Sequence, residues 1–283
     1  MKYLIIGDLH GQKPGIYFND FDAIIAPGDF CSSDETRKLM FEVIKNKHKN
    51  PDYKTEWYEL VGKREARRLI KKSISDGRQI LEYLNSLDKP VYMVPGNNDW
   101  VADKDSKWPF LQQDHFKELT SNLPNIINVH KKLVDLGDYE MIGYGLSSGP
   151  EYPQYEEDLN RFTSKELAKK KRSYERDYNK ISALFEQASK PVLFLSHNVP
   201  LNTELDKINN PSSPRDGQHF GSLVTRNIID FYQPLICIGG HMHEHFGKCK
   251  LNKTIVVNTG YGTGVNTLLK LINGKAGLSF HKE

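Results

Sequence analysis

A chain of 283 residues is long enough for one large domain or two small ones, and 38% hydrophobic with 11% aromatic residues supply a sizeable core, which excludes a disordered chain. Thirty-nine basic residues against 36 acidic ones leave a formal charge of +3, so no general attraction to nucleic acid or anionic membrane is expected and any basic footprint must be local. Cys31, Cys237 and Cys249 are odd in number and form no C-x-x-C pair, which argues against a disulfide framework and a thiolate zinc site and fits a reducing compartment. The apolar run at residues 3–6 is too short for a signal peptide, and no stretch reaches the roughly 18 apolar residues of a membrane span, so the sequence reads as cytoplasmic.

In chain order, apolar runs of strand length recur at residues 3–6, 23–26, 91–94, 141–143, 192–195, 235–238 and 255–257, each ended by glycine or polar residues. Uninterrupted runs of this kind suit strands buried on both faces. After the second run, Ala66, Leu69, Ile70, Ile74, Ile80, Leu81 and Leu84 follow the i, i+3, i+4 rule and predict an amphipathic helix. Residues 151–190 are charged, tyrosine-rich and bracketed by Pro150, Pro153 and Pro191; they read as a helical insertion or cap, with a helix from about residue 164 to 188. A last helix is expected over residues 223–232. Strand and helix alternate, which predicts the α/β class, as a single domain over residues 1–283.

Side chains of metal-binding type fall just after the apolar runs, where sites collect in open α/β sheets. Asp8 and His10 follow the first run, and their i, i+2 spacing on extended chain points both to one side. Asp29 follows the second run in Pro27-Gly28-Asp29, and Asn97 follows the third in Pro95-Gly96-Asn97-Asn98-Asp99. His197 follows the run at 192–195, and His241 and His243 repeat the alternating device in Gly239-Gly240-His241-Met242-His243. Each motif alone is weak, since a lone D-x-H or H-x-H is commonly a surface or core feature. Five in series are not.

The order D-x-H, G-D, G-N, H, then G-H-x-H resembles the calcineurin-like metallophosphoesterase family, from Asp8 to His243. The resemblance implies a four-layer αββα sandwich of two mixed β-sheets flanked by helices. It also implies that Asp8, His10 and His243 bind one metal, that Asn97, His197 and His241 bind a second, and that Asp29 bridges them. Three oxygen and four imidazole ligands suit Mn, with Fe, Zn, Ni or Co as alternatives, better than Cu(I) or a calcium cage. Two such divalent ions about 3.5–4 Å apart would hold a bridging hydroxide for direct in-line attack on a phosphate ester.

One position departs from the family pattern. Where the family usually has histidine, Asn98 stands, and an amide can donate a hydrogen bond but cannot deliver a proton. That favours substrates whose leaving group needs little protonation, or a substitute acid nearby, with His219 the candidate; the resemblance leans toward phosphodiesters of small nucleotides or related metabolites, because family branches with a non-histidine residue here include phosphodiesterases. Asp99, which in the family orients the missing histidine, either keeps that role or caps the loop or a following helix. Arg215 and His219 are candidates to face substrate phosphate, and the helix start at Ser222 would present free N–H groups to an anion. This segment looks closest to the Icc-like predicted phosphoesterases. His245 and Cys31 read as structural.

Rivals remain open in the sequence. A phosphomonoesterase is the close one. A nuclease would use the basic stretches Lys63, Arg64, Arg67, Arg68, Lys71 and Lys72, and Lys169 to Arg172, although such runs usually mark a solvated helix face. A non-catalytic scaffold for protein binding is the rival from another class. The expected partner is thus a small nucleotide-like phosphate ester, with no membrane involved.

Overall fold

A computed structural model describes residues 1–50, 52–211, 213 and 215–283 of the chain. Each apolar run becomes a strand whose alternate residues face two different cores, as the two-residue period of a strand requires. In β1 (Lys2–Ile6), Tyr3 and Ile5 face one core while Leu4 and Ile6 face another. β2 (Ala23–Ala26) divides in the same way, with Ala23 and Ile25 on the first side and Ile24 and Ala26 on the second.

Parallel to β1 and β2 run β3 (Val91–Met93) and β4 (Ile126–Asn128), and β11 (Val265–Ile272) and β12 (Lys275–Lys282) add antiparallel on the other side of β1, giving the order β12-β11-β1-β2-β3-β4. The second sheet comprises β5 (Leu133–Asp135), β6 (Glu140–Tyr144), β7 (Val192–Asn198), β8 (Ile236–Gly240), β9 (Gly247–Leu251) and β10 (Thr254–Asn258), in the order β5-β6-β7-β8-β10-β9. Its four inner strands are parallel and its two edges antiparallel. Both sheets are therefore mixed.

Tyr3, Ile5 and Ile25 from the first sheet meet Met141, Leu193, Leu195, Ile236 and Ile238 from the second in one buried cluster, so the sheets pack face to face. Outside the first sheet lies α3 (Lys63–Asn85), whose Ile80, Leu81 and Leu84 cover Leu4, Ile6 and Ile24, together with α4 (His115–Thr120). Outside the second lie α6 (Ser164–Gln187) and α7 (Leu223–Tyr232), whose Ile181, Phe185, Ile228 and Ile229 cover Phe194, Cys237 and Val256. The result is the four-layer αββα sandwich. Each fully buried Leu or Ile contributes about 1.5–3 kcal/mol, so the three apolar layers dominate the stability. α1 (Asp34–Lys49) and α2 (Trp57–Val61) form a satellite cluster with α3 around Trp57, Tyr58, Ile70 and Trp108, while α5 (Glu156–Leu159) precedes α6.

The carboxyl ends of β1, β2 and β3 in one sheet and of β7 and β8 in the other carry the turns singled out in the sequence. His197 lies inside β7, which continues to Asn198, three residues beyond its apolar run. Among the described residues no helix is long and apolar enough to cross a membrane.

Candidate metal centre

Three of the turn residues, His10, Asp29 and His241, adopt left-handed backbone conformations, with φ of 45°, 56° and 66°. A side chain pays roughly 1 kcal/mol or more for this region, and such outliers persist only where surrounding contacts over-determine them. Those contacts are hydrogen bonds donated by the backbone N–H groups of these residues to neighbouring turns. His10 N–H donates to Asp29 O at 2.8 Å, Asp29 N–H to Asp99 Oδ2 at 2.8 Å, and His241 N–H to Asp8 Oδ2 at 2.5 Å. Close approach also explains two glycines. A Cβ on Gly96 would lie 2.1 Å from Asp29 Oδ1, and one on Gly240 would lie 2.3 Å from Asp8 Oδ1.

These turns gather two groups of ligand-type atoms that share Asp29. Asp8, His10, Asp29 and His243 each offer one atom within 4.8 Å of the others, and so do Asp29, His197 and His241. In the first group His10 Nε2 lies 3.2 Å from His243 Nε2 and 3.3 Å from Asp29 Oδ2, and His243 Nε2 lies 3.4 Å from Asp8 Oδ2. In the second, His197 Nε2 lies 2.9 Å from Asn97 Oδ1 and 3.7 Å from Asp29 Oδ1, with the His241 ring 5.2 Å from that of His197. All seven residues expected from the sequence therefore converge. Asp8, Asp29 and His197 are buried, His10 nearly so, and Asn97 is exposed at the mouth.

The arrangement satisfies itself poorly without a cation. His197 Nδ1 faces Pro27 O at 2.9 Å and donates to it, which aims Nε2 at the Asn97 side-chain oxygen. His10 Nδ1 is engaged by Ser33 Oγ at 2.8 Å, which orients the ring so that Nε2 points at His243 and Asp29. Asp8 Oδ1 is buried with no hydrogen-bond partner among the described residues. A buried carboxylate oxygen without a donor, beside imidazoles and carboxylates that converge on one another, is what a divalent ion compensates, so the donor set fits one.

Protonation states agree. Burial lowers His241 to about 3, with the neighbouring His197 acting in the same direction against Asp29 and Asp8. Burial also lowers His10, again against Asp29 and Asp8. Burial alone would raise Asp29, but His197, His10 and the Asn98 N–H outweigh it and hold the carboxyl at about 2. Neutral imidazoles beside an ionised carboxylate are the ligating forms.

Asn98 donates twice to Asp29, from its backbone N–H to Oδ1 at 2.8 Å and from Nδ2 to Oδ2 at 2.7 Å. The amide's second N–H is left over, since a carboxamide has two. Asp99 resolves to the capping role. Its carboxylate accepts from the N–H groups of Asp29, Phe30, Cys31 and Gly96 at 2.7–3.0 Å and so welds the Asp29 turn to the Asn97 turn. Burial and the nearby Asp29 raise it to about 6, against the lowering effect of the Gly96 and Cys31 N–H bonds.

His219 stands apart from this cluster. Its Nδ1 pairs with buried Asp206 at 2.7 Å, and it lines a cavity of about 490 Å³ with Asn202, Lys207 and Lys250. Arg215 holds Asp158 in a two-pronged ion pair at 2.6 and 2.9 Å, so its guanidinium is already engaged. The start of α7 corrects an expectation. Its N–H groups are not free: the Glu151 carboxylate accepts from Leu223 N–H, Val224 N–H and Ser222 Oγ at 2.7–3.1 Å. A carboxylate is the natural partner of a helix N-terminus, and this one comes from 71 residues earlier in the chain. His245 Nε2 bonds Lys207 O at 2.6 Å, and Cys31 is buried, consistent with structural roles. In the basic stretch of α3, Arg68 pairs with Glu65 at 2.6 Å, Arg67 lies over Phe110 at 4.9 Å, and Lys72 sits within 3.9 Å of Glu35 and Asp76.

Two contributors escaped the sequence reading. Ser33, which fixes His10, carries no signal beyond lying shortly after Asp29. Tyr261 stacks on His243 with centroids 4.3 Å apart; the signal was its position in a glycine-rich turn just after the apolar run at 255–257, the same placement as the ligand turns.

The TT1561 protein of Thermus thermophilus shares this fold at a TM-score of 0.54 and 16% identity, with 98% of this chain and 97% of that one covered. A dimetal phosphatase from Danio rerio shares it at a TM-score of 0.55 and 10% identity, with 99% and 96% covered. No curated protein matches the sequence. The family model for calcineurin-like phosphoesterases matches residues 1–245, from the first strand through both halves of the ligand cluster, and the chain belongs to that family.

Proposed function

We propose that this protein is a phosphodiesterase that hydrolyses esters of small nucleotides or related metabolites and depends on two divalent transition metal ions, with manganese favoured. Asp8, His10 and His243 would hold one ion and Asn97, His197 and His241 the other, with Asp29 between them. The observation that carries the reading is the convergence of two groups of ligand-type side chains, Asp8, His10 and His243 in one and His197 and His241 in the other, on the shared Asp29 carboxylate, with Asn97 against His197. When bound, such a pair supplies an activated water and Lewis-acid stabilisation of the phosphoryl oxygens.

The chain's own groups then have separate tasks. Pro27 O takes a hydrogen bond from His197 Nδ1, and Ser33 Oγ holds His10 Nδ1, so that both rings are oriented to present Nε2. Asn98 steadies Asp29 and keeps one amide N–H to donate to a phosphoryl oxygen, but it delivers no proton to a leaving group. A diester whose leaving alcohol is already a weak base suits such a site better than a monoester of a strongly basic alcohol. His219, with its Nδ1 held by Asp206, belongs to neither ligand group and would serve as proton donor only to a substrate whose leaving group extends from the metal centre to the cavity it lines.

The test is a side-by-side assay of metal-replete protein on an aryl phosphomonoester, an aryl phosphodiester and a panel of cyclic and linear nucleotides. Diester turnover that is lost on chelation and in Asp29→Ala is the expected result. Faster monoester turnover throughout would overturn the diester preference. Protein that carries no transition metal and takes none up on titration would instead point to a binding scaffold.

A further inference from the structure

The mouth of the site carries an aromatic side chain for which the chemistry above has no use. Tyr261 lies in the turn after β10, between Gly260 and Gly262 at φ of 75° and 93°, and is 39% exposed. Its ring runs nearly parallel to that of His243, at 4.3 Å and 20°, and lies 5.5 Å from that of His10.

An exposed ring on a turn ordinarily moves with the turn. Here the backbone is tied on both sides to the strand end that bears Asp8: Asp8 N–H donates to Gly260 O at 3.1 Å, and Gly262 N–H donates to Asp8 O at 2.9 Å. Gly260 N–H also donates to the Asn258 side chain at 2.9 Å, and Gln12 Nε2 reaches the phenol oxygen at 3.4 Å. His243 stacks on the ring, yet 39% of the residue stays exposed. A large π-surface is thus fixed against the ligand cluster and left open. Rigid aromatic groups presented in this way bind other flat rings with little loss of conformational entropy.

We propose that Tyr261 is a specificity-determining residue, a stacking platform for an aromatic group, nucleobase or aryl, carried on the phosphate ester that the site takes. The inference rests on the phosphoesterase reading and narrows its substrate class.

Two measurements test it. In metal-replete protein, the ratio of kcat/KM for an aryl phosphodiester to that for its alkyl analogue should fall about tenfold in Tyr261→Ala and be retained in Tyr261→Phe and Tyr261→Trp. A ratio unmoved by Tyr261→Ala overturns the proposal. So does an equal loss on both substrates together with loss of bound metal, which would make the residue a brace for His243. Binding is read separately by calorimetry, with adenosine monophosphate against ribose 5-phosphate as probes. Tighter nucleotide binding that vanishes in Tyr261→Ala, in protein that hydrolyses no ester, upholds the platform and sinks the phosphoesterase reading. Hydrolysis with no aromatic preference in the unaltered protein does the reverse, and absence of both sinks both.

Discussion

Replacing Asp99 by Asn changes only an oxygen for an NH₂ group, yet it should be among the more damaging isosteric substitutions in this protein. Asp99 is fully buried, and each of its carboxylate oxygens accepts two backbone N–H groups: Oδ1 from Phe30 and Cys31, Oδ2 from Asp29 and Gly96. An amide keeps one of those oxygens. Whichever way it turns, two backbone donors then face another donor, and each buried N–H left without an acceptor costs about 1–3 kcal/mol. The loss for two is about 2–6 kcal/mol, toward the lower end because the substitution also removes a carboxylate that burial and Asp29 push up to about 6. Urea unfolding near neutral pH measures it, as a fall in midpoint at unchanged slope. Because the same N–H groups hold the Asp29 turn against the Asn97 turn, bound metal should fall as well. A variant within about 0.5 kcal/mol of the parent, with full metal content, would show that the four contacts do not hold the two turns together.

Asn98→His restores a proton donor beside Asp29; it should raise monoester turnover relative to diester and add an ionisation near the histidine range to the rate profile, and unchanged rates and profile on both ester types would mean that position 98 does not set the preference. His130, whose Nδ1 accepts from Gly145 N–H at 2.8 Å, is lowered by burial to about 3 and so stays neutral in the folded chain. The unfolded chain takes up that proton first, so stability is full above about pH 6.5 and falls as pH drops below it, by about 2 kcal/mol at pH ~5. In His130→Asn, whose Oδ1 can replace Nδ1 as acceptor, that part of the pH dependence should vanish from unfolding curves; an identical slope in both proteins would refute the assignment. Glu151→Gln weakens the cap on α7 and should cost about 1–2 kcal/mol in unfolding while bound metal stays constant. Loss of metal in this variant would mean that the cap and the ligand cluster are coupled.

The seven short apolar runs were legible as strands because those strands are buried on both faces, so every residue is apolar whichever core it meets. The helical period of α3 was legible for the same reason, since its covered stripe repeats Ala66, Leu69, Ile70, Ile80, Leu81 and Leu84. β4, β5, β9 and β12 were not read. They are sheet edges, half-buried or exposed, and strands such as Gly247–Leu251 alternate lysine with apolar residues instead of forming an apolar run. β11 also escaped, its hydrophobic run broken by Asn266, Thr267 and Lys270.

In the candidate site, residue type and place at a strand end were local properties, and they were enough to nominate Asp8, His10, Asp29, Asn97, His197, His241 and His243. What surrounds those residues was not local. The partners of Asp99 come from two turns about 70 residues apart, Glu151 reaches Ser222 across 71 residues, and Tyr261 meets His243 only because β10 lies beside β8. A side chain's chemistry is written in its identity and local spacing, but which group satisfies it depends on packing two sheets face to face. Only the tertiary structure decided that Asp99 binds turns together, that the α7 N-terminus is already filled, and that an aromatic ring stands at the mouth.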